Sequence, residues 1–287
     1  MIARARRGRI LASMCLLLSA APTHGGDRLE WTGATTEIEG SAGGGLVPWA
    51  LIGGLETNDQ VGATAFATYN ATPDFSLRTA GISLDVHDRW EVSFVQQRLD
   101  AASTPRAAVL GQDILGLKLR ILGDAVFSPD RVLPQIAVGA QFKYTLNFDG
   151  IPKAVGAARA DDVDLYLTAT KLYFAAIADR DVLVDLTVRR TRANQFGLLG
   201  FGADRHGYRL VPEASIAIFL TQSLLLGAEY RAKPDNLSGF REDSAQDLFL
   251  AWAPWKNLEL TAGVSDLGRI AGKSDQRGLY LSVWVGI

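Results

Sequence analysis

Apolar and polar residues alternate along most of the chain, from about residue 60 to the C-terminus, in segments separated by breaks rich in Gly, Pro, Asp and Asn. A period of two residues is that of a β-strand with one apolar and one polar face. Each segment has about the ten residues that a tilted strand needs to cross a bilayer. The pattern predicts twelve strands, at residues 61–70, 77–86, 90–99, 114–122, 134–146, 163–174, 182–192, 208–220, 223–232, 246–253, 257–265 and 278–287.

The breaks between these strands are alternately short and long over most of the chain. A soluble β-sandwich shares the two-residue period, but its Greek-key connections have no reason to keep this rhythm. Outer-membrane barrels combine short periplasmic turns with long extracellular loops. We therefore predict an all-β fold, a transmembrane antiparallel up-and-down β-barrel with both ends in the periplasm. The break at residues 123–133 fits least well, because it is long where a short turn is expected.

Aromatic residues agree with this orientation of the strands. Tyr and Trp concentrate at the two interfaces of a membrane. We expect four tyrosines to point outward at the extracellular strand ends and two tryptophans to do so near the periplasmic ends. They are Tyr69, Tyr144, Tyr208 and Tyr230, and Trp90 and Trp252.

The first residues have the composition of a cleavable signal peptide, which we place at residues 1–25. Four arginines precede an apolar run at residues 10–21 that is too short to span a bilayer. Their removal leaves 25 of the 29 basic residues against 31 acidic ones, a formal net charge of −6 that disfavours nucleic-acid partners. Cys15, the only cysteine, lies in this stretch, so the mature chain has neither thiol nor disulfide.

Residues 26–60 do not follow the strand pattern, because their glycines are too dense. Glycine permits backbone conformations and close approaches that other residues do not. One interpretation is a plug or latch that enters the barrel; the other is a periplasmic linker leading into an irregular first strand at residues 48–56. We favour the plug or latch. Its candidate plug or hinge residues are Gly43, Gly44, Gly45, Gly53 and Gly54.

Two stretches carry a resemblance to a known family. Residues 39–52 read EGSAGGGLVPWALI, and residues 60–84 read QVGATAFATYNATPDFSLRTAGISL. In these motifs the chain resembles an uncharacterised group of predicted outer-membrane proteins, domain-of-unknown-function family 3034. The resemblance extends over the whole mature chain and implies an outer-membrane protein, but it brings no activity, substrate or site residues.

Charged residues of both signs fall on the predicted inner face of the strands. Such residues can line a water-filled path and set its ion preference. They can equally pair across neighbouring strands and fill a narrow lumen. Both interpretations stay open for Asp85, Glu91, Lys118, Arg120, Lys143, Asp164, Asp185, Arg189, Glu213, Glu229, Arg231 and Glu259.

The chain offers little material for catalysis. Outside the signal region the only histidines are His87, in a predicted periplasmic turn, and His206, in a long loop. We predict no catalytic residue, no cofactor and no metal site; the acidic stretch at residues 161–164 is a weak cation candidate. The apolar loop at residues 197–202 either folds inward as a constriction or touches lipid headgroups.

These patterns favour an outer-membrane channel or transporter for small hydrophilic solutes in a Gram-negative type envelope. The alternatives are an enzyme that modifies outer-leaflet lipid and a structural or surface-interaction barrel. The expected partners are outer-membrane lipid, the barrel-assembly machinery and small solutes, without nucleic acid.

Overall fold

The computed structural model is a closed barrel of twelve antiparallel strands. The structure describes residues 31, 33–101, 109–126, 132–203 and 207–287, so the predicted signal peptide lies outside the described residues. Two short strands, β1 (Thr35–Thr36) and β2 (Ala42–Gly43), pair only with each other. The barrel strands are β3 (Val61–Ala71), β4 (Phe75–Val86), β5 (Trp90–Ala101), β6 (Val109–Leu122), β7 (Gln135–Leu146), β8 (Asp161–Ile177), β9 (Arg180–Thr191), β10 (Arg209–Thr221), β11 (Leu224–Arg231), β12 (Ala245–Trp255), β13 (Leu258–Asp266) and β14 (Arg277–Gly286).

Each barrel strand pairs with the next one in the chain, and β14 closes the barrel on β3. In this closing pair, Leu279 lies opposite Ala71 and Gly286 lies opposite Thr64. The predicted fold class and the number of strands are therefore confirmed. Residues 48–56, the alternative first strand, form no strand.

The outer face of the barrel is apolar. Large side chains in the middle of strands remain exposed there, including Ile82 (60%), Leu186 (63%) and Leu281 (63%). A closed barrel has no free strand edge, so an apolar belt of this kind is what a lipid bilayer covers. The tyrosines and tryptophans predicted for the two interfaces are likewise exposed on this face. No helix among the described residues is long and apolar enough to cross a membrane.

The long break between β6 and β7 has a local explanation. The Leu172 N–H donates to the Ala125 carbonyl at 3.0 Å, and Lys171 Nζ donates to the Asp124 carbonyl at 3.2 Å. Residues 124–125 therefore lie against β8 just beyond its last pair with β7, Gln135 with Thr170. The break is long because its first part packs on this continuation of β8, which no longer pairs with β7 and ends at Ile177. A short helix, α1 (Ile151–Ala154), lies in the loop between β7 and β8.

Strand β6 begins at Val109, five residues before the predicted start at residue 114. Leu110 and Ile114 are buried on the inner face of this strand, whereas Asp113 points outward and accepts a hydrogen bond from Gln96. At this end of β6 the inner face thus carries apolar residues and the outer face a polar one, the reverse of the rest of the strand. Such an exchange requires apolar material inside the barrel, and that material is the N-terminal segment described next.

Candidate functional site: the barrel lumen

The lumen contains the N-terminal segment, here defined as residues 31–56. From residue 33 onward every residue of this segment is buried. The Ile38 carbonyl accepts from Gln97 of β5, the Leu51 carbonyl from Lys118 of β6, and the Leu46 carbonyl from Arg231 of β11. Strand β11 lies across the barrel from the neighbouring strands β5 and β6, so the segment is surrounded by the wall.

The segment enters and leaves the lumen at the same end. Trp31 Nε1 donates to the Gln222 carbonyl at 2.9 Å, in the turn between β10 and β11. Glu39 reaches Arg231 at the opposite end of β11. The chain then returns to Val61, where β3 begins beside the barrel's C-terminal strand. In the predicted orientation, both ends of the segment are periplasmic and its tip lies in the extracellular half.

Eleven of the twelve predicted inward-facing charged residues are buried in the lumen. The twelfth, Arg120, lies at the end of the barrel where the N-terminal segment enters, and it contacts Asp88 and the carboxylate of Asp124 at 3.6 Å. The eleven are Asp85, Glu91, Lys118, Lys143, Asp164, Asp185, Arg189, Glu213, Glu229, Arg231 and Glu259.

Three of these residues form a cation cluster, defined here as Lys143 of β7, Arg189 of β9 and Arg231 of β11. All three contact one carboxylate of the N-terminal segment, that of Glu39. Lys143 Nζ binds Oε1, Arg231 Nη2 lies 2.5 Å from Oε2, and Arg189 Nη1 lies 3.5 Å from Oε2. Buried charges require such partners, because an uncompensated charge costs several kcal/mol.

The wall also supplies carboxylates to the cation cluster. Asp164 Oδ2 accepts from Lys143 at 2.8 Å, and Glu213 Oε1 accepts from Arg189 Nε at 2.5 Å. Arg231 Nε lies 3.3 Å from the same Glu213 oxygen. The cluster is therefore held in place by the wall as well as by Glu39.

Wall carboxylates bind backbone amides of the N-terminal segment. Glu229 Oε2 accepts from the Leu46 amide at 2.5 Å, and Glu91 Oε2 accepts from the Gly53 amide at 3.0 Å. Lys118 Nζ bonds Glu91 at 2.9 Å and also donates to two carbonyls of the segment. Irregular backbone needs partners wherever it is buried, and here the charged side chains of the lumen provide them.

The predicted plug or hinge glycines allow this close approach. A Cβ atom on Gly44 would lie 2.0 Å from Glu229 Oε1, and one on Gly45 would lie 2.4 Å from Asp247 Oδ2. Gly43 and Gly53 approach the Val47 carbonyl and Asp85, and Gly54 has a φ of +81°. Close contact with the wall therefore explains why positions 44 and 45 are glycine. A hinge at the five glycines remains a prediction.

The loop between β9 and β10 covers the lumen at the other end. Phe196, Leu198, Leu199 and Phe201 are buried, and the Phe196 carbonyl accepts from Lys143 Nζ at 3.3 Å. The guanidinium of Arg231 lies 4.7 Å from the Phe196 ring centroid, within cation–π range. The sequence left two interpretations of this apolar loop open, and in the structure the loop folds inward as a constriction.

A second loop holds this cover in place. The carboxylate of Glu242, between β11 and β12, accepts from the Gln195 amide at 2.8 and 3.0 Å. Lys233 Nζ lies 3.7 Å from Glu242 and donates to Gln195 Oε1 at 2.9 Å. Burial raises the pKa of Glu242 to about 7, and the Lys233 ammonium partly offsets this rise. The cover thus depends on an ionisable group outside the membrane.

Comparison with known proteins identifies the chain's family. The model of the family described as "Protein of unknown function (DUF3034)" matches residues 32–284. The chain belongs to this family. A comparison with curated proteins finds no match.

Solved structures share the barrel architecture with this DUF3034 protein at low similarity. The KdgM porin is 11% identical, with 77% of this chain and 98% of that chain covered and a TM-score of 0.48. LpxR from Salmonella typhimurium is 10% identical, with 78% and 99% covered and a TM-score of 0.47. The Acinetobacter baumannii outer membrane protein Omp33 is 9% identical, with 79% and 98% covered and a TM-score of 0.44. Such values say nothing about the activity of the DUF3034 chain.

The acidic stretch of this DUF3034 protein does not converge on one point. Asp161 lies 3.5 Å from Arg159, Asp162 contacts Arg192, and Asp164 turns inward to Lys143. Among the described residues, no group of His, Cys, Asp or Glu is placed to hold a metal ion. His87 lies in the turn between β4 and β5, and His206 falls outside the described residues.

The carboxylates of the N-terminal segment that face the wall were not predicted from the sequence. Glu37 Oε1 accepts from Gln141 of β7 at 3.0 Å, and Glu39 meets the cation cluster. Two glutamates flanking one isoleucine beside a glycine-rich stretch were the available signal. An acidic pair inside a segment expected to enter a charged lumen is complementary to basic residues on the wall.

Proposed function

We propose that this protein is an outer-membrane channel for small hydrophilic solutes whose lumen is closed at rest by the N-terminal segment acting as a plug. The observation that carries the proposal is the chemistry of the wall behind the segment. Eleven charged residues are buried there, and many of them bind the segment directly. A permanently filled barrel needs no such wall, because apolar packing is often as stable as buried ion pairs.

The attachment of the segment is compatible with its withdrawal. Strands β1 and β2 pair only with each other, so moving them breaks no strand pair of the barrel. The barrel begins at Val61 and closes through β3 and β14 without the segment. Withdrawal would expose Lys118, Glu91, Glu229 and the cation cluster to water, which is the lining of a polar path.

A closed structural barrel is the second candidate, and one observation favours it. The β9–β10 loop covers the lumen at the end opposite to the one where the segment enters. An open path therefore requires this cover to move as well as the plug. Electrical recording separates the two candidates, since a structural barrel conducts in no state.

The test is single-channel recording in planar bilayers with three proteins. These are the mature chain, a variant that starts at Val61, and a double variant, Ala50→Cys with Thr170→Cys. The Ala50 amide lies 2.6 Å from Thr170 Oγ1, so a disulfide between these positions would fix the segment to β8. The mature chain carries no other cysteine, and reduction of the same sample is the matched control.

We expect frequent openings from the variant starting at Val61, interrupted whenever the β9–β10 cover closes, and rare, brief openings from the mature chain. The oxidised double variant should be silent, and a reductant should restore the brief openings. A heat-sensitive shift in gel mobility will establish that each barrel is folded. If the folded variant starting at Val61 never conducts, the channel proposal fails and the structural candidate takes its place.

A further inference from the structure

We propose that the cation cluster, Lys143, Arg189 and Arg231, is a binding site for the carboxylate of a small acidic solute. Glu39 occupies this site while the segment is in place. The inference rests on the proposed plug and adds to it the class of solute. In this view the segment is an internal competitor of the ligand as well as a barrier.

The charges on the wall point to a missing anion. The three cations of the cluster have two carboxylate partners on the wall, Asp164 and Glu213, each within 4.0 Å of at least one of them. The other two carboxylates near the cluster, Glu39 and Glu37, belong to the segment; Glu39 contacts all three cations, and Glu37 Oε2 lies 3.6 Å from Arg231 Nη1 alone. When the segment leaves, the wall keeps one more positive charge than negative in this cluster. A confined charge of this kind attracts an anion strongly.

The donors are arranged for a carboxylate in particular. Lys143 binds one oxygen of Glu39, and the guanidiniums of Arg231 and Arg189 approach the other. Two oxygens with separate cationic donors form strong charge-assisted hydrogen bonds. A spherical anion such as chloride cannot satisfy both sets of donors at once.

The wall holds Arg189, one of the three cations of the site, in place without help from the segment. Arg189 is fixed by Glu213 at Nε and by Gln141 Oε1, which accepts from Nη1 at 2.5 Å. The Arg189 guanidinium also lies 5.1 Å from the ring centroid of Tyr166. A site whose donors are already held loses less entropy when it binds a ligand.

The position of the site suits a solute that arrives from outside. The Phe196 carbonyl bonds Lys143, and the Phe196 ring contacts Arg231. The cation cluster thus lies directly beneath the loop that covers the lumen. In the predicted orientation, a solute that passes this loop meets the cluster before the rest of the segment.

Competition with Glu39 predicts the direction of a binding measurement. A group on the same chain competes at an effective concentration on the order of millimolar. We therefore expect Glu39→Gln to bind a dicarboxylate at least tenfold more tightly than the native chain. The glutamine keeps the size of the side chain but removes the charge that fills the site.

The experiment is calorimetric titration of the full mature chain with sodium succinate at constant ionic strength, and sodium chloride is the comparison titrant. The proteins are the native chain, Glu39→Gln, and Glu39→Gln combined with either Lys143→Met or Arg120→Met. Both changes remove one positive charge, but only Lys143 contacts Glu39, whereas Arg120 binds Asp88 at the other end of the barrel. We expect Lys143→Met to weaken succinate binding at least tenfold and Arg120→Met to leave it within about threefold.

Two results would overturn the inference in proteins that pass the gel-mobility test for folding. One is succinate binding by Glu39→Gln that is no tighter than in the native chain. The other is an equal loss from Lys143→Met and Arg120→Met. Both results are independent of conductance. If the barrel does not conduct but binds succinate as expected, the binding site is supported and the channel proposal fails. If the barrel conducts but fails the binding test, only the channel proposal is supported.

Discussion

Arg231 Nη2 lies 2.5 Å from Glu39 Oε2, joining the last residue of β11 to a residue 192 positions earlier in the chain. This contact ties the tip of the N-terminal segment to the barrel wall. Neither side chain is accessible to water, so the pair is of the kind whose disruption costs about 3–5 kcal/mol. It is one of three contacts that Glu39 makes with cations of the wall.

Substitution of Arg231 by Gln should loosen the segment. The variant leaves Glu39 with Lys143 and Arg189 but removes its Arg231 partner, so we expect openings in planar bilayers at least ten times as frequent as in the native chain. Arg98→Gln is the control, because Arg98 is exposed on the outer face of β5. Equal opening frequencies in the two variants would show that the pair does not hold the segment.

The strands could be predicted from the sequence because the information is local. Whether Leu117 faces lipid and Lys118 faces the lumen follows from the two-residue period, without knowledge of any partner. The same parity places Glu91, Lys143 and Arg231 inside. The predicted strand bounds are within a few residues of the observed ones, except at the start of β6 and the end of β8.

The contacts of the lumen could not be predicted in this way. Glu39 and Arg231 are far apart in the sequence, and no period relates them. The start of β6 was not predicted for the same reason: Leu110 faces inward only because the lumen is filled, and it belongs to the same buried apolar cluster as Leu46 and Trp49 of the segment. Where the inner face of a strand contacts protein instead of water, its residues can be apolar, and the apolar/polar alternation along the strand disappears.

A methyl group at Gly44 should weaken the docking of the segment. The Cβ atom of Gly44→Ala would lie 2.0 Å from Glu229 Oε1, the oxygen beside the one that binds the Leu46 amide. Overpacking of this kind costs about 1–3 kcal/mol, so we expect limited proteolysis to cut the segment at least fivefold faster. Gly239→Ala is the matched control, since nothing lies within 4 Å of its Cβ position. Identical cleavage rates would contradict the tight fit at Gly44.

The loop cover should loosen as the pH rises through 7. Burial raises the pKa of Glu242 from its ordinary 4.5 to about 7, so folding favours the protonated acid. Its contribution to stability is therefore complete below about pH 4.5 and is lost as the pH rises through 7. The hydrogen-exchange protection factor of the Gln195 amide, which bonds this carboxylate, should fall between pH 6 and pH 8. In Glu242→Gln, which has no proton to lose, the factor should be flat over this range; a fall of equal size would assign the effect to another group.

The apolar belt of the barrel predicts how the protein responds to a charge placed at its centre. Leu186 lies outward in the middle of β9 and is 63% exposed, so Leu186→Arg would put a guanidinium in the hydrocarbon core. Arginine on the lipid face near the midplane costs about 2–4 kcal/mol, and this loss should appear in the free energy of unfolding by urea in phosphatidylcholine vesicles. Leu133→Arg is the control, because Leu133 is 51% exposed in the break between β6 and β7, outside the membrane-spanning strands. If both variants are equally stable in vesicles, the outer face of β9 does not contact lipid, and the apolar belt must be covered by protein.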